Sequence, residues 1–262
     1  IQPDILLCRC SQPLSETERN KIALFTNVEQ KAVITCADAA TIFAIPMALH
    51  QQRLDSIILE KLNVSAVPAD LTEWQEVVRK QQLLKEEVTV GIIGKYTGLS
   101  DAYKSLNEAI IHAGIMNCVR VNVEYIDAEL LESNGIAILS NMHAILIPGG
   151  FGKRGVEGKI QAAGFARCNN IPFFGICLGM QAAVIEFARN VANMPGANSK
   201  EFDAATAFPI IALVTEWITE TGIVEHRNQD SILGGTMRLG GQRCKIIPDS
   251  LSERLYNKNI VL

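Results

Sequence analysis

Seven cysteines and four histidines are the side chains in this 262-residue sequence best suited to nucleophilic chemistry. Cys177 stands apart by its surroundings, Gly175-Ile176-Cys177-Leu178-Gly179-Met180-Gln181. It follows the apolar run Ile171–Ile176 and opens a helical stretch, so it occupies a tight strand-to-helix turn. A cysteine there is the thiol form of a nucleophile elbow: the backbone projects the side chain above a sheet, and flanking glycines remove the Cβ atoms that would clash. The helix N-terminus favours negative charge on the sulfur. A second glycine-rich turn, Pro148-Gly149-Gly150-Phe151-Gly152, ends the run Ala144–Ile147, one strand-helix-strand unit upstream. Backbone N–H groups near Gly150 and Phe151, with that of Leu178, could bind a developing oxyanion. Alone, Gly-Gly after a strand is an ordinary turn; beside the elbow it becomes the second half of a catalytic constellation.

A thiolate nucleophile needs a general base, and the histidines do not supply one. His50 and His112 fall on helices away from the turns. His143 precedes a strand, at the end opposite the chemistry. His226 follows Cys177 in Val224-Glu225-His226-Arg227, but adjacent strand residues face opposite ways, so Glu225 could not orient it. Either Cys177 is not catalytic, or the base lies beyond Leu262. The other six cysteines, with no CxxC pair and an odd total, read as small buried hydrophobes of a reducing, cytoplasmic compartment.

Two segments position these residues. In the first, 1–70, Asp4–Cys8 and Lys31–Ile34 read as strands. Ser15-x-x-Glu18 is a capping box opening a helix through Phe25, and Met47–Leu62 has helical apolar spacing with Pro46 at its start. Residues 71–87 form a linker containing a helix from Leu71 to Lys80. In the second segment, 88–262, strands at Val88–Gly94, Val119–Ile126, Ala144–Ile147 and Ile171–Ile176 alternate with helices near Asp101–Ile111, Glu157–Cys168 and from Leu178. That alternation predicts an α/β fold with a mostly parallel sheet and flanking helices, its functional groups at the carboxyl ends of the strands.

Composition narrows the classes. Hydrophobic residues are 48% and charged residues 20%, which excludes disorder, collagen and coiled coil. With 24 basic against 28 acidic residues there is no cationic excess to neutralise a phosphate backbone, which argues against nucleic acid. No apolar stretch approaches the ~20 residues of a membrane span. The start at Ile1 and the apolar end Ile260-Val261-Leu262 suggest a piece of a longer protein cut at both ends.

The PGGFG turn, the GICLGMQ elbow and the parallel sheet resemble the class I, or triad, glutamine amidotransferases. These release ammonia from glutamine through a cysteine, a histidine and a glutamate. The last two come as His-Pro-Glu late in the domain, a motif absent here. Further matches resemble the CTP synthases within that class: Pro148–Gly158, Asp101-Ala-Tyr-Lys-Ser105, Ala197-Asn-Ser-Lys-Glu-Phe202, Leu233-Gly-Gly-Thr-Met-Arg-Leu-Gly240, Pro3-Asp-Ile-Leu-Leu-Cys-Arg9 and Lys21-Ile-Ala-Leu-Phe25. The resemblance implies ATP-dependent amidation of UTP to CTP with glutamine-derived ammonia. The chain then holds the tail of a P-loop-type α/β amidoligase, lacking its phosphate loop and magnesium ligands, followed by a glutaminase truncated at its C-terminus and inactive alone. It implies Cys177 as nucleophile, and Gly150, Leu178, Gly179, Met180, Gln181 and Glu201 around glutamine. Lys21 and Phe25 fall near UTP or CTP, and Ala37, Asp38 and Ala39 near the adenine of ATP, with Arg9 a weaker phosphate contact. Arg154, Gly155 and Glu157 fall in a lid segment where GTP acts as activator. ATP with Mg is the implied requirement of the parent protein; no metal ligands are assigned in this chain, and the family forms homotetramers. Lys153 stands where the family often has tyrosine. Two alternatives remain: another class I glutamine amidotransferase, which would lack Lys21–Phe25, and a non-catalytic binding or scaffold remnant, against which the intact turns argue.

Overall fold

The computed structural model describes residues 2–95, 103–212, 216–218, 224–226, 241 and 243–262, in two compact units, Ile1–Ile210 and Ile211–Leu262.

The first unit opens with two parallel strands, β1 (Leu6–Cys10) and β2 (Val33–Ala37), in register from Leu6↔Val33 to Cys10↔Ala37. Between them lies α1 (Glu16–Thr26). Its expected capping box is present: Ser15 Oγ accepts from Glu18 N–H and the Glu18 carboxylate accepts from Ser15 N–H. The helix stops at Asn27 in the left-handed region. Lys31–Ile34 is only half strand, because residues 30–32 form a single 3₁₀ turn that buries Ala32. The expected helix Met47–Leu62 is two, α2 (Ile45–Gln51) and α3 (Leu54–Leu62), separated by Arg53 at φ 61°, ψ 28°. The break frees Gln52, whose side-chain amide bonds both the N–H and the carbonyl of Thr35 at 2.8 Å. Gln52 thus makes the two bonds a further strand would make to β2, a tertiary demand that overrides apolar spacing.

Helix α4 (Thr72–Gln82) occupies the expected linker, and Trp74 Nε1 donates to the carbonyl of Phe43 at 2.5 Å. Next come β3 (Glu86–Gly94), α5 (Lys104–Met116), β4 (Val119–Asp127), α6 (Ala128–Asn134), β5 (Ala144–Ile147), α7 (Val156–Cys168), β6 (Phe173–Gly175) and α8 (Leu178–Asn190). Helix α6, which apolar spacing does not reveal, is set by Asp127, whose carboxylate accepts from Glu129 N–H at 2.9 Å. The four strands form one wholly parallel sheet in the order β4-β3-β5-β6, as expected. Ile93, Ile126, Leu131, Leu139, Ile145 and Ile147 fill its core. Helix α7 packs so closely on α6 that a Cβ on Gly158 would lie 1.9 Å from Ala128 O. The strand order reverses between β3 and β5. Such a switch point opens a crevice at the carboxyl ends of the strands. Two short strands, β7 (Asn198–Ser199) and β8 (Pro209–Ile211), follow.

The second unit contains two antiparallel pairs, β9 (Glu216–Ile218) with β10 (Val224–His226) and β11 (Cys244–Lys245) with β12 (Ile260–Val261), and helix α9 (Leu251–Tyr256), capped by Ser250. Among the described residues no helix is long and apolar enough to cross a membrane. Asp101, Ala102 and Leu233–Gly240, quoted above as motif residues, lie outside the described residues, as does Arg227.

Candidate active site

Cys177 is the N-cap of α8, with φ 52° and ψ −106°. That backbone is outside the ordinary allowed regions for a residue with a Cβ and costs on the order of 1–3 kcal/mol, held only because the surroundings over-determine it. The flanking glycines are what over-determine it. A Cβ on Gly175 would lie 2.5 Å from the backbone of Gly179, and one on Gly179 would lie 2.1 Å from Ile147 O. The turn is therefore pressed onto the ends of β5 and β6, and the exposed thiol stands above them.

The second glycine turn lies alongside. A Cβ placed on Gly149 would sit 3.5 Å from Cys177 Cβ, and one on Gly150 would sit 3.5 Å from Leu178 Cδ2. Leu178, 1% exposed, anchors its side chain in the core while its backbone N–H, at the first helical position, has no intrahelical acceptor. Gln181 N–H donates to Cys177 O at 3.0 Å, and no side chain caps α8, so the Gln181 amide is free of a capping duty. Gly179 is buried and Met180 is exposed on the same first turn.

Two charges hold the Phe151–Gly152 peptide. Lys95 Nζ donates to Phe151 O at 2.6 Å and to Gly152 O at 3.2 Å; the Glu201 carboxylate accepts from Gly152 N–H at 2.7 Å. Glu201 is thus brought to the glycine turn instead of being a free loop charge. Lys95 was not legible as a site residue; its one signal is its place just after Gly94, at the end of a buried strand. Arg154 donates to Lys95 O at 3.1 Å and pairs with Glu129 at 3.2 Å. Gly155, at φ 68°, begins α7 where a Cβ would meet Ala128 Cβ at 2.9 Å. Glu157 turns to α8, where Arg189 binds it with both terminal nitrogens, at 2.7 and 3.1 Å. A second pair joins the same helices. Arg167 forks onto Glu186 at 2.9 and 2.7 Å and holds that carboxyl below the usual range. Lys159, only 2% exposed, lies in the first turn of α7. Burial and the nearby Lys95 lower its pKa to about 8, against the opposing pull of Asp127 and Glu132.

The histidines of the first unit lie elsewhere, as expected. His50 Nδ1 meets Asp55 at 2.9 Å, the His112 ring stands edge-on to Phe43 at 5.5 Å, and His143 Nδ1 accepts from Thr89 N–H at 3.0 Å. The expectation of buried cysteines is corrected: none of the seven is buried, and Cys168 and Cys244 are exposed along with Cys177. In the first segment, Ala37, Asp38 and Ala39 line a cavity of about 580 Å³ with Arg9, Thr35 and Gln52. Arg9 and Asp38 form an ion pair. Lys21 and Phe25 share a face of α1, both exposed, Phe25 at 86%.

The family model described as glutamine amidotransferase class-I matches residues 98–261, and the model described as CTP synthase N-terminus matches residues 1–64. Among solved structures, the glutaminase domain of Trypanosoma brucei CTPS with bound acivicin is 36% identical, with a TM-score of 0.55 over 66% of this chain and 64% of that one. The chain thus spans less than two thirds of that domain's length.

Proposed function

We propose, from the premise that this chain belongs to the class-I glutamine amidotransferase family and carries a CTP synthase N-terminus ahead of it, that it is the glutaminase and amidoligase tail of an enzyme converting UTP to CTP. The observation that carries the reading is Cys177 in its strained backbone, exposed and flush against Gly149. The Cys177 thiolate attacks the side-chain carboxamide carbon of glutamine. The oxyanion that forms lies toward the N–H of Leu178 and the turn at Gly150. Collapse breaks the C–N bond as the base returns the thiol's proton to the departing nitrogen, which releases ammonia and leaves a γ-glutamyl thioester; water cleaves this to glutamate and the free thiol. The Glu201 carboxylate keeps lone pairs for the α-ammonium of glutamine beyond the one it gives to Gly152. The family motif assigns the first turn of α8 to glutamine, Met180 and Gln181 by their side chains and Gly179, packed against Ile147 O, by its backbone alone. The base is none of His50, His112 and His143.

Ammonia would pass to the amidoligase, where ATP phosphorylates O4 of UTP and ammonia displaces the phosphate. This chain's share of the nucleotide site is the 580 Å³ cavity, a size that admits a nucleoside, with Ala37, Asp38 and Ala39 toward the base and Arg9 toward phosphate. Lys21 and Phe25 offer a cation and a ring to the pyrimidine nucleotide. The Mg²⁺ that screens the ATP phosphates has no ligand proposed in this chain. The lid reading of Arg154, Gly155 and Glu157 as a GTP-responsive segment rests on the family motif; Arg154 is the one with an exposed cationic head. The same reading divides the chain into 1–70, 71–87 and 88–262, makes the full protein a cytoplasmic homotetramer, and leaves the 262-residue chain without glutaminase turnover.

In the full-length protein, Cys177→Ala should abolish glutamine-dependent CTP formation and spare formation from added ammonia. Equal loss with both nitrogen sources would overturn the assignment.

A further inference from the structure

We infer that Lys95 is a positioning residue of the glutaminase, holding the glycine turn beside the nucleophile by gripping one peptide unit jointly with Glu201. This rests on the reading of Cys177 as nucleophile and extends it to a residue that no motif singles out. The geometry is one of opposed charges. On one side of the Phe151–Gly152 peptide, the ammonium of Lys95 donates to the carbonyl of Phe151 at 2.6 Å; on the other, the carboxylate of Glu201 accepts from the N–H of Gly152 at 2.7 Å. A cation on C=O and an anion on N–H polarise the same amide in the same sense, so each bond strengthens the other. The grip also fixes direction. Gly152 has φ +80°, a region where glycine has little intrinsic preference between several conformations, so the turn would reorient without an external tie. Reorientation would carry the adjoining Gly150–Phe151 peptide away from Cys177.

The lysine itself is tied. Its own carbonyl accepts from Arg154 at 3.1 Å, and it continues β3 directly beyond Gly94. Since β3 and β5 are neighbours at the reversal of strand order, Lys95 spans the switch point from one strand end to the other. It lies 56 residues from Phe151 in sequence, which is why spacing cannot reveal it.

The test uses the full-length protein and glutaminase steady-state kinetics. Lys95→Met should lower kcat by about tenfold or more with KM changed less than about twofold, since removing a true oxyanion donor costs ~10²–10³ and a residue acting through the loop costs less. Lys95→Arg, which keeps a cationic donor within reach of the carbonyls, should recover most of that loss and preserves the fold if the methionine variant does not. Combining Lys95→Met with Glu201→Gln should give a loss in kcat smaller than the product of the separate losses, because both release one peptide. Unchanged kcat in Lys95→Met, equal impairment in the arginine and methionine variants, or independent multiplication in the double variant would each overturn the inference. Retained glutaminase activity in Cys177→Ala would instead sink the underlying reading.

Discussion

Lys159→Met tests how much the buried lysine beside the site costs the fold. The side chain is 2% exposed and its pKa is lowered from 10.5 to about 8, first by burial and then by Lys95. A lysine whose folded pKa lies below its unfolded value penalises the folded state wherever it must carry a proton. The penalty is full below the folded pKa and disappears as pH rises through the unfolded one. The gap of about 2.5 units corresponds to about 3 kcal/mol at pH 7, shrinking to about 2 kcal/mol at pH 9 and below about 0.5 kcal/mol at pH 10.5. Methionine fills a similar volume without the charge. The variant should therefore be more stable than the parent chain by about 3 kcal/mol at pH 7, and its advantage should fade across that alkaline window. Urea unfolding of both proteins at the three pH values, followed by circular dichroism, measures the difference directly. A stability difference that is constant between pH 7 and 10.5 would refute the argument, because packing alone does not titrate.

Gly179→Ala should destabilise the chain by several kcal/mol or prevent folding, since its Cβ would lie 2.1 Å from a backbone oxygen that cannot move without β5; a wild-type melting temperature would contradict it. Cys177→Gly should raise stability by about 1–3 kcal/mol in urea unfolding while abolishing the nucleophile, because glycine accepts φ 52°, ψ −106°. Gln52→Leu should cost about 2–4 kcal/mol by unfolding titration, since it strips partners from Thr35 N–H, Thr35 O and Arg19 together. Ser15→Ala should cost about 1 kcal/mol, read the same way, as the lost hydroxyl no longer accepts from Glu18 N–H or donates to the Glu18 carboxylate, while the backbone N–H of residue 15 keeps its bond.

Much of this molecule is legible without coordinates because its signals are local. Ser15 and Glu18 sit three residues apart, and their capping box appears where it is expected. The all-apolar Ala144–Ile147 is a strand with the bounds its composition gives. The two glycine turns announce themselves by residue type, and the parallel sheet that brings them together follows from strand-helix alternation. What escaped reading is what depends on partners remote in sequence. Gln52 breaks a helix to serve Thr35, seventeen residues earlier. Lys95 and Glu201 meet at a loop 56 residues after the one and 49 before the other. Glu157, a free lid charge by motif, is bound to Arg189, 32 residues on. The buried cysteines expected from composition are absent for a related reason: half-covered strand edges and helix ends receive them, and only packing decides which positions those are.

The order of the site's parts along the chain has a consequence in time. A chain emerging N-terminus first presents Lys95, then the turn at 148–152, then Cys177, and Glu201 last. Strands β3 and β5 can pair, and Lys95 can seize the Phe151 carbonyl, before the helix behind the nucleophile exists. The strained turn of Cys177 is thus synthesised after the strand end it is laid onto, and the carboxylate that completes the grip is made last.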